Sequence, residues 1–127
     1  MILLARAENF PHTFHMSKKK TVDLTEFDQE TVDFYVEETK AYRALALDHI
    51  KLNEETLKDS KENLAYFEKA LRKSEDPEDR AQLEDSIARS HTLIKDLREH
   101  NAKLRSSVET FDGVLQMIER SLDQKDQ

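Results

Sequence analysis

A single proline, Pro77, stands between two long stretches in which apolar residues recur every three or four positions. Proline lacks an N–H and clashes with the preceding turn, so it cannot lie inside a helix, but it fits the first helical position well. Asp76 is a favourable N-cap, and Glu78 and Asp79 place negative charge at the positive end of the helix dipole. The sequence therefore predicts that one helix ends near residue 73 and another begins at Pro77.

The second stretch follows a heptad repeat without a slip over about 40 residues, as coiled-coil helices do. The residues at its d positions are Leu83, Ser90, Leu97, Leu104, Phe111 and Ile118. The residues at its a positions are Ile87, Ile94, Asn101, Val108, Leu115 and Leu122. Leu93 and Val114 widen the apolar stripe to one side, which suggests that more than one helix packs against it. The pattern predicts a helix over residues 77–124.

The first stretch carries a matching seam, with apolar residues spaced by seven. The members of this seam are Ile50, Leu57, Leu64 and Leu71. Nearer the start of the chain, the spacing assigns to the seam Thr31, Phe34 or Tyr35, Tyr42, and Leu45 or Ala46. Thr25 can act as an N-cap, so the predicted helix covers residues 25–73.

Folding the chain back near residue 75 overlays the two seams. Leu64 then lies opposite Ile87, and Leu57 lies opposite Ile94. The chain has one Gly, two Pro and 37% charged residues, a composition typical of long helices. We expect an all-α protein, a long antiparallel two-helix hairpin of the coiled-coil type. The predicted division is an N-terminal arm (1–24, flexible or extended), the hairpin (25–124) and a tail (125–127).

A parallel dimer through the second helix is the rival architecture. β-Branched residues at a, leucine at d and a single asparagine at a, Asn101, are typical of two-stranded parallel coiled coils. The flanking positions argue against it, because the e residues Glu84 and Arg98 face the uncharged g residues Ser86 and Leu93. We therefore expect a hairpin that pairs with a second copy into a four-helix bundle.

The expected function is that of a non-enzymatic interaction or assembly protein that binds protein partners through helix packing, most simply as a homodimer. The residues expected to form the packing interface are Leu57, Leu64, Phe67, Leu83, Ile87, Ile94, Leu97, Asn101, Leu104, Val108, Phe111 and Leu115. Their apolar spacing is the signal, since burial of such a stripe is what holds paired helices together.

The polar residues give little indication of chemistry. His49, Asn53, His100 and Asn101 are expected to form a polar layer halfway along the hairpin, where polar residues set the register. A di-iron bundle would need a Glu-x-x-His motif, which the sequence lacks. It also has no cysteine, glycine-rich phosphate loop or Ser-His-Asp pattern. We expect no enzyme activity, no metal and no cofactor.

Charge and hydropathy exclude other classes. The net charge of −7, with both signs interspersed, gives no basic face for nucleic acid. The short basic run Lys18–Lys20 lies in the predicted arm. No stretch approaches the roughly 18 apolar residues of a membrane span, and the apolar run at residues 1–5 is too short for a signal peptide. Residues 1–15, which precede Met16, are either an extension or part of the arm. We expect a soluble cytoplasmic protein.

Four acidic residues surround the turn between the predicted helices. The run from Asp76 to Ala81, Asp-Pro-Glu-Asp-Arg-Ala, resembles the coiled-coil tip of the DksA/TraR family, whose pattern is Asp-x-x-Asp-x-Ala. In that family the tip enters the secondary channel of RNA polymerase. The resemblance implies that Asp76, Asp79 and Ala81 form a functional tip in a transcription regulator. The family usually carries a four-cysteine zinc site, which this cysteine-free chain lacks.

Overall fold

The computed structural model describes Leu24 and residues 27–125, which form two α-helices packed against each other. Helix α1 spans Gln29–Lys73 (45 residues) and helix α2 spans Pro77–Lys125 (49 residues). The described part of the chain contains no β-strand. The prediction of an all-α helical hairpin is confirmed.

The connection between the helices consists of three residues, from Ser74 to Asp76. The Ser74 N–H donates to the carbonyl oxygen of Ala70 at 3.0 Å, which closes the last turn of α1. The Asp76 carbonyl accepts from the Arg80 N–H at 2.9 Å, the first backbone bond of α2. Because the residue before a proline is kept out of helical geometry, Pro77 separates the helices at the predicted position.

Helix α1 begins at Gln29, four residues later than predicted. Asp28 acts as the cap, since its Oδ1 accepts from the Thr31 N–H at 2.7 Å. Immediately before it, the Phe27 N–H donates to the Leu24 carbonyl at 3.1 Å in a turn. Aspartate is a slightly better N-cap than threonine, which accounts for the later start. The predicted cap, Thr25, lies outside the described residues.

The chain divides into two compact units, which are described separately. The terminal unit contains Met1–His49 and Lys103–Gln127, and the central unit contains Ile50–Ala102. Each helix contributes residues to both units.

The core of the terminal unit includes a residue that precedes α1. Leu24 is buried in a cluster with Val32, Val114, Met117 and Ile118. Val114, expected to widen the stripe available to another helix, is therefore covered within the chain. Leu24 is the last residue of the predicted arm; residues 1–23 of that arm lie outside the described part.

The seam of α1 in the terminal unit differs from the prediction. Val32, Thr39 and Ala46, which are spaced by seven, are buried. Phe34 and Leu45, two of the alternatives assigned to the seam, are exposed. Thr39 was not assigned to the seam, although it lies seven residues from both Val32 and Ala46. Its hydroxyl donates to the Tyr35 carbonyl at 2.7 Å within the same helix, so its burial leaves no unsatisfied donor.

The cap at Asp28 generates a pH prediction. The hydrogen bonds from Thr31 hold the pKa of the Asp28 carboxyl below its ordinary value of 3.8. A lowered folded-state pKa means that the carboxylate stabilises the fold fully above about pH 4. This stabilisation is lost as pH falls through the folded-state pKa. We expect Asp28→Ala to lower the melting temperature at pH 7, followed by circular dichroism.

The matched control is Asp28→Asn, which keeps a capping oxygen but has no charge to titrate. It should melt between wild type and Asp28→Ala at pH 7, and its difference from wild type should shrink below pH 3. Identical melting of all three proteins at pH 7 would contradict the assignment of Asp28 as the cap.

Candidate helix-packing interface

The predicted interface residues of the central unit form one continuous seam. Ile94 and Asn101 are buried, because both face the opposite helix. The half-buried members of the predicted set are Leu57, Leu64, Phe67, Leu83, Ile87 and Leu97. These side chains are half-buried because a single neighbouring helix covers only one side of each of them. Ser60, a polar residue on the same seam of α1, is also buried there.

The predicted residues of the terminal unit are more deeply buried. Phe111 is 0% exposed and Leu104 is 1% exposed, whereas Val108 and Leu115 are half-buried. Tyr42 stacks on Phe111 with ring centroids 6.3 Å apart and an interplanar angle of 27°. Such aromatic pairs contribute about 0.5–1.5 kcal/mol beyond the area they bury.

An ion pair also joins the two helices in the terminal unit. Arg43 occupies a seam position of α1, seven residues before Ile50, and its Nε donates to Oδ1 of Asp112 on α2. The two side chains are 39% and 40% exposed, so water screens the pair and its contribution is small. The sequence analysis did not identify this pair, because a charged residue breaks the apolar pattern used to find the seam.

A polar layer lies in the central unit, where the sequence predicted one. The side-chain amide of Asn53 donates to Oδ1 of Asn101 at 2.8 Å and contacts Nδ1 of His100 at 3.1 Å. Asn101 in turn donates through Nδ2 to the Ile50 carbonyl at 3.4 Å. His49, the fourth predicted member, is exposed and belongs to the terminal unit.

The chain of bonds determines the orientation of each group in the layer. The Ile50 carbonyl can only accept, so Asn101 must present its NH₂ to Ile50 and its oxygen to Asn53. Asn53 must then present its NH₂, and its second hydrogen points to Nδ1 of His100. That nitrogen lies 3.1 Å from the Asn53 amide nitrogen, within hydrogen-bond distance. Reversing the Asn101 amide would place its oxygen against the Ile50 carbonyl oxygen and its NH₂ against the NH₂ of Asn53.

The Asn53–Asn101 hydrogen bond also sets the register of the central unit. Continuing the a/d alternation from this pair places Leu57 opposite Leu97 and Phe67 opposite Ile87. The overlay about residue 75 had placed Ile87 opposite Leu64, so the register is shifted by one layer from the prediction. The overlay used apolar residues alone and did not include the polar pair.

The tip residues are all exposed. Asp76, Asp79 and Ala81 lie at the surface, as do Glu75 and Glu78. Among the described residues, no ion pair involves these four acidic side chains.

Arg80 holds the connection together and was not singled out by the sequence analysis. Its guanidinium donates to the carbonyl oxygens of Leu71 and Ser74, at 2.8 Å each. The Leu71 carbonyl also accepts from the Ser74 N–H at 3.3 Å, and a cation at this end of α1 complements the helix dipole. Arg80, the fourth residue of α2, reaches the two carbonyls because the connection between the helices has only three residues. The apolar periodicity of the sequence carries no information about such a contact.

A shallow groove of about 560 Å³ lies beside the connection. Its lining residues come from both helices and are Ala70, Lys73, Ser74, Asp79, Gln82, Leu83 and Ser86. The groove shows that Ala70 of α1 and Ser86 of α2 lie on the same side of the hairpin in the central unit.

Among the described residues, no three His, Cys, Asp or Glu side chains are grouped as a metal site would require. Neither α1 nor α2 contains an apolar stretch long enough to cross a bilayer.

Six large apolar side chains remain 40–69% exposed on the two helices. They are Phe34, Leu45, Leu47, Leu52, Tyr66 and Leu93. Within the terminal unit, Phe34 and Leu45 are eleven residues apart, which is about three helical turns, so they share one face of α1.

The chain matches no protein-family model, no curated protein and no solved structure. Its function must therefore be argued from its own residues.

The polar layer makes a specific energetic prediction. Asn53→Ala and Asn101→Ala remove the two ends of one partly buried hydrogen bond, so the effects of the single changes should not add. We expect a coupling free energy of about 1 kcal/mol from a double-mutant cycle measured by urea unfolding.

The matched control pairs Asn101→Ala with Asn63→Ala, a change at an exposed asparagine of α1 in the same unit. Those two effects should add to within about 0.3–0.5 kcal/mol. Additivity of the Asn53 and Asn101 changes would show that the bond contributes nothing in solution.

Proposed function

We propose that this protein is a non-enzymatic helical-hairpin interaction or assembly protein that acts through coiled-coil packing with the helices of another polypeptide. The observation that carries the proposal is the set of six large apolar side chains left 40–69% exposed on α1 and α2. Within the central unit, Leu52 and Tyr66 are fourteen residues apart and share one face of α1, and exposed apolar residues that share a face mark interaction sites more often than isolated ones do.

The half-buried seam of the central unit supports the same proposal. Leu57, Leu64 and Leu97 each keep part of their surface in contact with water. Packing a further helix beside the hairpin would remove this area from water at about 25 cal/mol per Å². Partner binding thus completes a core that two helices leave partly open. A cytoplasmic location is part of the proposal and is compatible with the absence of cysteine.

The acidic tip favours a second candidate function, that of a regulator acting in the secondary channel of RNA polymerase. The supporting observation is that Asp76 and Asp79 are exposed at the connection, while Arg80 binds the end of α1 and braces the turn from inside. Because the hydrogen bonds of Arg80 hold the connection, the two carboxylates can contact a partner without a change in its backbone conformation.

The leading proposal is tested by crosslinking. The full chain, carrying an affinity tag, is added to an extract of its own cells and treated with a lysine-reactive crosslinker. We expect crosslinks to a second polypeptide, either another copy or a different protein. The variant Leu45→Ser with Leu52→Ser should lower their yield severalfold, because it removes apolar area from the contact.

The matched control is Ala44→Ser with Ala65→Ser, which changes exposed positions of the same helix but removes little apolar area. It should crosslink like the wild type. Absence of crosslinks to any polypeptide, or equal yields for both variants, would contradict the proposed function.

The tip candidate makes a separate prediction. Asp76→Asn with Asp79→Asn should leave the melting temperature nearly unchanged, since both side chains are exposed and asparagine also caps helices. The same variant should abolish an effect of the protein on transcription by purified polymerase. No effect of the wild-type protein on transcription would remove this candidate.

A further inference from the structure

The two open sides of the hairpin in the central unit differ sharply in charge. One side, here called the g face, is formed by the heptad g positions of both helices. Along the stretch where residues 50–71 of α1 lie opposite α2, its residues are Thr56, Asn63 and Ala70 of α1 and Ser86, Leu93 and His100 of α2. Within this stretch the g face carries no Asp, Glu, Lys or Arg side chain, and Asp79, the preceding g position of α2, lies exposed beside the connection.

The opposite side, here called the e face, is formed by the e positions. Its residues are Glu54, Lys61 and Glu68 of α1 and Glu84, His91 and Arg98 of α2. Five of these six side chains are charged at neutral pH, and most are exposed. Charged side chains are typical of the solvent-exposed side of a helix pair, whereas a side that is buried against a partner is typically poor in charged residues.

The geometry of the central unit confirms that the g positions of the two helices share a side. Ala70 and Ser86 line the same groove beside the connection. Leu93, in the middle of the α2 row, is 44% exposed, although it is the largest apolar side chain on the face. Away from the connection, the g face therefore carries no Asp, Glu, Lys or Arg side chain and has an exposed leucine at its centre.

We propose that the g face of the central unit is the surface on which a second copy of this chain docks, hairpin against hairpin, to form a four-helix bundle. This inference rests on the proposed function and names its partner and its surface. The e faces remain in water on the outside of the bundle.

Charge supports a second copy as the occupant. In a two-fold symmetric contact a face meets itself, so any charge on it lies near its own like charge. Two copies each carrying −7 repel one another overall. The stretch of the g face from Ser86 to His100 has no Asp, Glu, Lys or Arg, so it is the side on which they can approach without adding a local contact between such like charges. It also offers no charge pattern that would select a different, charged partner.

The area of the g face is sufficient for a dimer. The central-unit part of α1 that lies opposite α2, residues 50–71, is about 33 Å long at 1.5 Å per residue, and two helices side by side are about 20 Å wide. Each copy therefore contributes about 650 Å², and the pair buries about 1,300 Å² in total. This value lies at the lower end of the 1,200–2,000 Å² typical of specific interfaces. The terminal unit offers less, because Leu24 already covers Val114.

The experiment compares the wild-type chain with two variants by sedimentation equilibrium. Asn63→Glu with Leu93→Glu places two charges on the g face, and Ala65→Glu with Ala88→Glu places two charges at exposed positions outside it. Both variants change the net charge equally. Circular dichroism establishes that each is as helical as the wild type.

We expect the wild type to reach twice the 14.9 kDa monomer mass as its concentration rises. The control variant should do the same, and the g-face variant should have a dissociation constant at least about tenfold higher, because two like charges would be buried against each other. Raising the salt concentration should strengthen wild-type association by screening the net charge.

The natural absence of cysteine permits a second measurement on the folded full chain. Leu93→Cys should react with a maleimide more slowly as protein concentration rises, while Ala88→Cys should react at a constant rate. A wild type that stays monomeric, a dimer that survives the two charges at 63 and 93, or equal labelling at both sites would each overturn the proposal. A monomer that still crosslinks to a different protein would overturn this inference alone and leave the proposed function standing.

Discussion

The hydrogen bond between Asn53 and Asn101 is the constraint on which the arrangement of the central unit depends. Apolar seams with a seven-residue repeat can slide past one another by a layer at modest cost, because leucine and isoleucine fit many holes. A buried asparagine cannot slide, since leaving its amide unsatisfied costs about 1–3 kcal/mol. Asn101 meets both Asn53 and the Ile50 carbonyl only in one register. Specificity here comes from a few polar atoms, while the energy of association comes from the apolar residues around them.

The two units differ in how completely their seam residues are buried. In the terminal unit, Leu24 packs on α2 beside the seam, and Phe111 and Leu104 are almost wholly buried. In the central unit the described seam is mostly half-buried, and Leu93 stays exposed. A two-helix layer cannot bury a stripe wider than its a and d positions. The unit that lacks a third covering segment is therefore the one whose surface is suited to a partner.

The fold could be predicted from the sequence because its signals are redundant. Pro77 marks the helix boundary because its ring removes the backbone N–H and restricts the residue before it. The a/d repeat of α2 then continues for six heptads after Pro77. The start of α1 was predicted too early, because Thr25 and Asp28 both satisfy the preference for a capping oxygen and aspartate is the slightly better N-cap. Thr39, Arg43 and Arg80 were missed for a common reason. Each takes a structural position through a hydrogen bond or ion pair, which an apolar periodicity cannot reveal.

An isotope-filtered nuclear Overhauser measurement on mixed labelled and unlabelled protein shows whether Asn53 and Asn101 of one chain bind each other. In the hairpin we expect intramolecular cross-peaks between the side-chain amide of Asn53 and the side chains of Asn101 and His100. The contradicting result is an intermolecular cross-peak between the Asn101 side chains of two chains, without a contact to Asn53. That outcome would mean that α2 forms a parallel coiled coil with its own copy, and that the hairpin is not the structure in solution.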